Sequence, residues 1–552
     1  MEARRFPMAS RSRSRRRSRR APPEQTANPS LEPRADGEAH AQAAADGDSL
    51  FDDPVQGAPA QEPAPGGPAP TSDWTARTTR TIVVLAVTEI AGKLSMLVII
   101  VGAARLLGVA DFGVFAYALA VGLLAAVIPL WGYDIVVVQR GSAEPGRLRG
   151  LLADLLVTRT ALVFVVLAVL AASAGSLGLS GPPDSRAGLA AFIIAAAAVL
   201  DTYTEAYRSA AAAIQRQSII AVVHLVQRLL TAAAALTALL LHTGLLGLAV
   251  AYLAGTLVGP LAGALLVRHQ GIGPRWREVS VASLVRLNRG TWVLGVASIL
   301  AMALFRLDIL LIAWLVGDRA VGVYAAAYRL LETALFVCFA VARTVFPLMA
   351  ADAEPRRVQR HLERGWSVLA AIFLPYMTLL CFRGHDLLLL FYGEPFAGAG
   401  TDILRWLAAA PLLFSLSYVI SMAMVAAGPT PRLLIASAVA LVVNVSLNLL
   451  LIPRYGAIAA AFTTPVTYLA EAVAGLWLGR RRMGRPRLVW TLLPALVASG
   501  VAAGPLLAPL PLAPALLAAA AVYLPSLLLV ARFVDPEQIQ VLRHTLTPWR
   551  TG

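Results

Sequence analysis

From Thr81 to Val534 the chain strings together apolar runs of about 20 residues, long enough to cross a ~30 Å hydrocarbon core as helices, with short polar interruptions. The runs are rich in Ala, Leu, Val and Gly, show no strict alternation, and exceed the ~10 residues of a barrel strand. A lipid-exposed backbone must satisfy its own polar groups, so such runs predict α-helices. Hydropathy places about fourteen spans, near residues 80–106, 113–137, 150–174, 187–206, 217–241, 245–267, 290–315, 321–348, 365–383, 402–427, 433–452, 456–479, 488–507 and 513–532.

The pattern repeats. Leu107-Gly-Val-Ala-Asp-Phe-Gly-Val-Phe-Ala-Tyr-Ala118 is echoed by Val316-Gly-Asp-Arg-Ala-Val-Gly-Val-Tyr-Ala-Ala-Ala327, a shift of 209 that sets Gly108 on Gly317 and Gly113 on Gly322. The same shift carries Gly247 onto Gly456. Each half then holds six helices, and an even number makes both enter the bilayer from the same side, related by an axis along its normal. The expected fold is an all-α polytopic membrane protein of two pseudo-symmetric six-helix lobes plus two extra C-terminal helices. Its expected parts are a disordered tail (1–74), an N-lobe (75–268), a cytoplasmic linker (269–289), a C-lobe (290–480), the extra helices (481–535) and a cytoplasmic tail (536–552).

A formal charge of +15 would suggest nucleic acid in a soluble protein, but here arginine gathers in alternate loops. One set holds Arg140, Arg147 and Arg149, then Arg208 and Arg216, the stretch from Arg268 to Arg289, Arg356 to Arg364, Arg432, and Arg480 to Arg487. The other holds little beyond Arg105, Arg186, Arg319, Arg383 and Arg454. The charge therefore reports orientation, with both termini in the cytoplasm, and no nucleic-acid partner is expected. The first 74 residues, with an Arg/Ser run at 11–20, are too poor in large apolar residues to offset ordering entropy. They read as a solvated tail or as a segment drawn to anionic lipid headgroups.

Two cysteines, Cys338 and Cys381, lie in apolar runs, so neither a disulfide framework nor a thiolate metal site is expected. His361 and His385 are expected in loops on opposite sides, no persuasive Asp-x-Asp, His-x-x-x-x-Asp or metal-spaced histidine set is found, and there is no Walker phosphate loop. An enzyme, an ATP-driven pump and a bound cofactor are all disfavoured.

Charges at bilayer depth cost ~2.5–3.5 kcal/mol on insertion scales, so each needs a partner or a wet cavity. Glu89 and Lys93 lie four apart on the first helix and can pair, or Lys93 can offer its cation to an anionic substrate while Glu89 holds it or itself takes up a proton. Arg306 and Asp308, two apart, must point to different sides. Arg306 suits a pyrophosphate through its planar fork, or an ion pair with Glu89 or another helix. Arg329 and Glu332, three apart, suit an internal pair, while Arg343 faces a cavity or snorkels to the cytoplasm. Asp201, Glu205 and Arg208 read as a helix-end cluster, His224 and Arg228 share a face, and Asn444 and Asn448 are placed to bond across helices.

Ala104-Arg-Leu-Leu-Gly-Val-Ala-Asp-Phe-Gly113 resembles the junction between the first two helices of bacterial polysaccharide exporters and O-antigen flippases, of the multidrug/oligosaccharidyl-lipid/polysaccharide exporter superfamily. Arg306-Leu-Asp-Ile-Leu-Leu-Ile, Val321 to Glu332 and Asn444 to Gly456 extend the resemblance, which covers roughly residues 78–480. It implies a central cavity between two lobes in a bacterial cytoplasmic membrane, moving undecaprenyl-pyrophosphate-linked glycans outward by alternating access, with a polymerase or other assembly proteins as partners. Asp308 resembles an acidic position common in the family's seventh helix, carrying protons or bracing the lobe. The relatives that move a lipid-linked peptidoglycan precursor are the nearest alternative. A drug or cation antiporter would favour acidic cavity residues over Lys93, Arg306 and Arg343, and a membrane glycosyltransferase is the alternative of a different class.

Overall fold

The computed structural model describes residues 72–173, 185–289, 291–352, 354–426 and 431–534. The expected N-terminal tail up to residue 71, and the C-terminal tail, lie outside the described residues. Seventeen α-helices follow in order: α1 (Ser72–Leu107), α2 (Val109–Leu130), α3 (Tyr133–Ala143), α4 (Leu148–Ala172), α5 (Ser185–Ala213), α6 (Gln217–Leu240), α7 (Gly244–His269), α8 (Val281–Arg289) and α9 (Trp292–Leu315). They continue with α10 (Asp318–Ala351), α11 (Pro355–Tyr392), α12 (Glu394–Leu407), α13 (Ala410–Val425), α14 (Pro431–Tyr455), α15 (Ala457–Met483), α16 (Leu488–Leu507) and α17 (Leu512–Val534). Fourteen candidate spans result among the described residues, because α2 with α3, and α12 with α13, each make one broken span.

Packing divides these helices into groups. α1 lies on α6, α6 on α7, α7 on α5 and α5 on α2; separately, α14 and α13 lie on α15, α9 on α14, and α11 on α10, α12 and α13. α16 and α17 pair with each other, and α16 rests on α11. Arg383, at a kink in α11, fixes this last contact: it pairs with Asp386 at 2.9 Å and donates to the carbonyls of Leu506, Ala508 and Leu510 at 2.7–2.8 Å. The linker expected over 269–289 contains the short helix α8, tied to α3 by Tyr133 Oη donating to Asn288 at 2.6 Å.

α2 joins the two large groups, touching both α9 and α10. Gly108 and Gly317 precede α2 and α10 with φ of +83° and +111°, a backbone that favours glycine, so the repeated motif opens both helices with the same turn. The second glycine of each motif has a different use. A Cβ on Gly113 would fall 1.9 Å from the Asp318 carbonyl oxygen, and one on Gly322 would fall 2.2 Å from that of Val109. The two helix N-termini therefore cross backbone to backbone through the duplicated glycines. Arg105 adds to this end by donating to the last carbonyls of α11, those of Phe391 at 2.9 Å and Leu390, and the Phe112 and Phe396 rings meet edge to face at 5.5 Å. Gly456 precedes α15 at φ +64°, whereas Gly247, which the shift of 209 sets on it, sits within the first turn of α7, whose first residue Gly244 has φ +70°.

Sequence reading placed one straight span where α2 and α3 are. Trp131 (φ 38°) and Gly132 (φ 73°) break it, and Arg159 of α4, wholly buried, holds the break. Arg159 pairs with Asp134 at 3.0 Å, donates to the carbonyl of Pro129, which the break frees, and ties the break to α5 by donating to the carbonyl of Thr202.

Overpacking a tight crossing costs ~1–3 kcal/mol. Gly113→Val and Gly322→Val are expected to lower the thermal unfolding midpoint in detergent, while Gly500→Val, whose Cβ meets nothing within 4 Å, leaves it in place. Equal midpoints for all three variants would remove the crossing as a structural constraint.

Candidate functional site

α9 is an apolar helix carrying two charges that are two residues apart, about 200° around its axis. Arg306 turns to α10, where its Nη2 meets Glu332 Oε1 at 2.6 Å. Arg329, one turn before Glu332 on α10, brings Nη1 to Oε2 at 2.9 Å. Two guanidinium groups thus share one carboxylate and leave one net positive charge. Arg306 is 8% exposed, and its Nε has no hydrogen-bond partner among the described residues. The expected internal pair of Arg329 and Glu332 is present, and Arg306 joins it.

Lys93 of α1 faces the same place from the other group of helices. Its Nζ lies 5.3 Å from the centre of the Phe336 ring on α10, and Glu332 is within electrostatic reach of it. Arg329, Glu332, Phe336 and Arg343 fall within roughly 60° on α10 at 100° per residue. Arg343 is exposed on that stripe and makes no ion pair among the described residues. Lys93, the Arg306–Arg329 pair and Arg343 therefore line one face with an excess of cations. The side chain of Glu89 lies outside the described residues.

Asp308 turns the other way, into the core between α9, α10, α14 and α15. Its Oδ1 accepts from Asn444 and Asn448 at 3.0 and 2.8 Å, and its Oδ2 from Tyr324 and Thr464 at 3.0 and 2.8 Å. All five side chains are buried, none is a cation, and Asn448 Oδ1 has no hydrogen-bond partner among the described residues. Asn444 and Asn448, four apart on α14, do bond across helices, and the group they serve is Asp308.

Other sequence-marked residues separate from these sites. Glu205 pairs with Arg208 at 2.6 Å, whereas Asp201 turns to Gln227 at 2.7 Å and Thr204 at 3.1 Å. Arg228 donates to His224 at 3.2 Å on α6. His361 and His385 stand within α11 near its two ends, not in loops, and His361 meets Asp352 at 2.7 Å. Cys338 and Cys381 are free. The Arg159–Asp134 pair and Glu471 of α15 escaped sequence reading, although each is a charge inside an apolar run and was detectable on that ground.

The family described as polysaccharide biosynthesis protein matches residues 78–351, and the MatE family matches 294–450. The "Probable flippase AglR" of Haloferax volcanii is 29% identical over 195 residues, which is 34% of this chain and 39% of that relative's length. Among solved structures, the lipid II flippase MurJ in an inward closed conformation superposes with a TM-score of 0.68 at 13% identity, covering 82% of this chain and 99% of that one. An inward-facing multidrug resistance MATE family transporter gives 0.58 at 16% identity, covering 73% and 98%. At these identities the likeness to the solved structures is one of fold.

Removing one partner of a fully buried ion pair costs ~3–5 kcal/mol, and less applies here because the Glu332 side chain is 23% exposed. Glu332→Gln, which leaves two guanidinium groups together, is expected to lower the thermal midpoint more than Arg329→Gln, which leaves the Arg306–Glu332 pair. The reverse order would show that Glu332 does not hold the cluster together.

Proposed function

Because the chain belongs to the multidrug/oligosaccharidyl-lipid/polysaccharide exporter superfamily, we propose that it is a flippase for undecaprenyl-pyrophosphate-linked oligosaccharide, working by alternating access in a bacterial cytoplasmic membrane. The observation that carries this reading is the cationic face formed by Lys93, Arg306, Arg329 and Arg343 against the single carboxylate of Glu332. A pyrophosphate brings negative charge to a place where cations are otherwise costly, and arginine forks can donate paired hydrogen bonds to its oxygens. Lys93 and Arg343, the exposed members, make first contact; Arg329 and Arg306, held by Glu332, supply the field behind them. No ATP or cofactor chemistry enters this scheme, and both termini lie in the cytoplasm in keeping with the loop arginines.

Coupling falls to Asp308. Four buried side chains converge on it, and turning the two asparagine amides presents carbonyl oxygens in place of NH₂ groups. The carboxylate, two amide oxygens and two hydroxyls then form an oxygen cage of the kind that hard cations require. A small monovalent cation bound there neutralises a carboxylate that has no basic partner in the core.

Reconstitution in liposomes with fluorescent lipid-linked oligosaccharide tests the reading, with lipid II offered in parallel. Native protein is expected to move the oligosaccharide; movement of lipid II alone would transfer the assignment to the peptidoglycan precursor. Lys93→Gln and Arg306→Gln are each expected to slow translocation by roughly tenfold or more, the equivalent of ~1.4 kcal/mol, with normal protein in the membrane. Unchanged rates in both would remove the cationic face from the substrate path. Sodium is expected to raise the thermal midpoint of the native protein and not that of Asp308→Asn; an equal rise in both would separate Asp308 from ion binding.

A further inference from the structure

α6 presents two opposite faces. Val222, Val226, Leu229 and Leu230 are exposed along one stripe. His224 and Arg228 fall about half a turn away, at 100° per residue, on the side where α6 packs against α1 and α7. Arg228 keeps partial access on that inner side. Counting along α6 from Gln217 and back from Leu240 places it ~17 Å and ~18 Å from the two ends, near the middle of a ~30 Å hydrocarbon core. Its side chain leaves α6 across α1. A Cβ on Gly92 would fall 2.8 Å from Arg228 Cδ, so the arginine passes over a position without a side chain, next in sequence to Lys93. Tyr252 of α7 lies within electrostatic reach of both Arg228 and Arg329 of α10, as Glu332 does of Lys93. Arg228 therefore faces the space that Lys93 and the α9–α10 cluster face, from another helix and without touching that cluster.

Arg159, Arg306, Arg329 and Arg383, other arginines within the spans, each have a carboxylate at 2.6–3.0 Å. Arg228 and Arg343 make no ion pair among the described residues. Arg343 stands ~12 Å from the end of α10, whereas Arg228 is at mid-depth. Arg228 Nε donates to His224 Nε2 at 3.2 Å, and an imidazole that accepts there is neutral, so the bond orients the guanidinium and leaves its charge whole. Both Nη groups, the end of the fork, have no hydrogen-bond partner among the described residues. Carboxylates on the neighbouring helices are engaged elsewhere or lie beyond ion-pair distance. On α5, Asp201 accepts from Gln227 and Thr204, and Glu205 pairs with Arg208. α7 carries no Asp or Glu, and α1 carries Asp73 and Glu89, whose side chains lie outside the described residues.

We propose that Arg228 is a phosphate-binding residue and that a lipid-linked diphosphate bridges two walls: one phosphoryl group meets Arg228 and Lys93, the other the cationic face of α9 and α10. The substrate in this assignment rests on the flippase reading. A guanidinium fork at mid-bilayer without a carboxylate is costly, and a phosphoryl group supplies the missing charge together with two acceptor oxygens in fork geometry. A diphosphate esterified at both ends, to lipid and to glycan, carries one negative charge on each phosphoryl group, so two separate cationic walls match it. A phosphodiester has one such group and engages one wall. The arrangement selects a diphosphate by the number of its contacts, whichever glycan follows.

Two short-chain probes with the same lipid and sugar test this: farnesyl-diphospho-N-acetylglucosamine and farnesyl-phospho-N-acetylglucosamine, their binding to the full chain in detergent followed by thermophoresis. Native protein is expected to prefer the diphosphate by roughly tenfold or more. Arg228→Gln is expected to lose about that factor for the diphosphate and little for the phosphodiester, so that the preference collapses. Arg228→Lys, which keeps the charge and loses the fork, should retain part of it. A native protein without the preference overturns the proposal. So does an unchanged preference in folded Arg228→Gln, the result that an arginine merely neutralising Glu89 would give. Equal losses for both probes overturn it too, since a general field does not count phosphoryl groups. Should Arg228→Gln fail to fold, an unchanged preference in folded Arg228→Lys overturns it equally. Competition by a nucleoside-diphosphate sugar as strong as that by the farnesyl diphosphate would overturn the lipid-linked assignment. An Arg228-dependent preference in a protein that moves no lipid-linked glycan would sink the flippase reading and leave the diphosphate site standing.

Discussion

A charge at bilayer depth must find its opposite inside the protein or meet water, and this constraint organises the molecule. Where compensation is complete, the pair does structural work. Arg159 is buried because Asp134 and the carbonyls of Pro129 and Thr202 take its donors, and it holds the break between α2 and α3. Arg383 does the same for the ends of α16 and α17. Where compensation is incomplete, the surplus is what a ligand can use. The α9–α10 cluster keeps one positive charge after both arginines share the single carboxylate of Glu332, and Lys93 stands opposite it.

Glycine supplies the second constraint. Helices whose backbones touch need positions without a side chain, and the duplicated motif offers one on each side of the contact between α2 and α10. The first glycine of each copy makes the turn and the second makes the crossing, so one short motif sets both the entry of the helix and its neighbour. α2 is consequently anchored near its start by backbone contact and near its end by the Arg159 staple. Such a helix moves as a rigid member or not at all, which suits the element that joins both groups of helices.

Much of this was legible in the residues. Span number and helix type follow from run length, and the pairing of Arg329 with Glu332 follows from a spacing of three. The opposed directions of Arg306 and Asp308 follow from a spacing of two. What could not be read were choices among partners far apart in sequence. Glu332 takes Arg306 from 26 positions away, and Asp308 collects three of its four donors from 136 to 156 positions away. Helical periodicity gives the face of a residue but not the neighbour that the face meets. Glu471 was missed because Ser417 and Ser437 carry no charge, and hydroxyl partners leave no pattern in a chain rich in small residues.

The two sites meet on α10. Tyr324 reaches inward to Asp308, while Arg329 and Glu332, five and eight residues further on, hold Arg306 and face Lys93. On α9 the same connection is shorter, since Arg306 and Asp308 are two residues apart and their side chains leave the helix in nearly opposite directions. A cation at Asp308 would draw on Tyr324 of α10 and the asparagines of α14, and any shift of α9 or α10 that improves those contacts must also move Arg306 against Glu332. That cluster is the cationic face itself. Occupancy of the buried carboxylate and presentation of positive charge are thus properties of the same two helices, and coupling between them requires no path longer than the width of a helix.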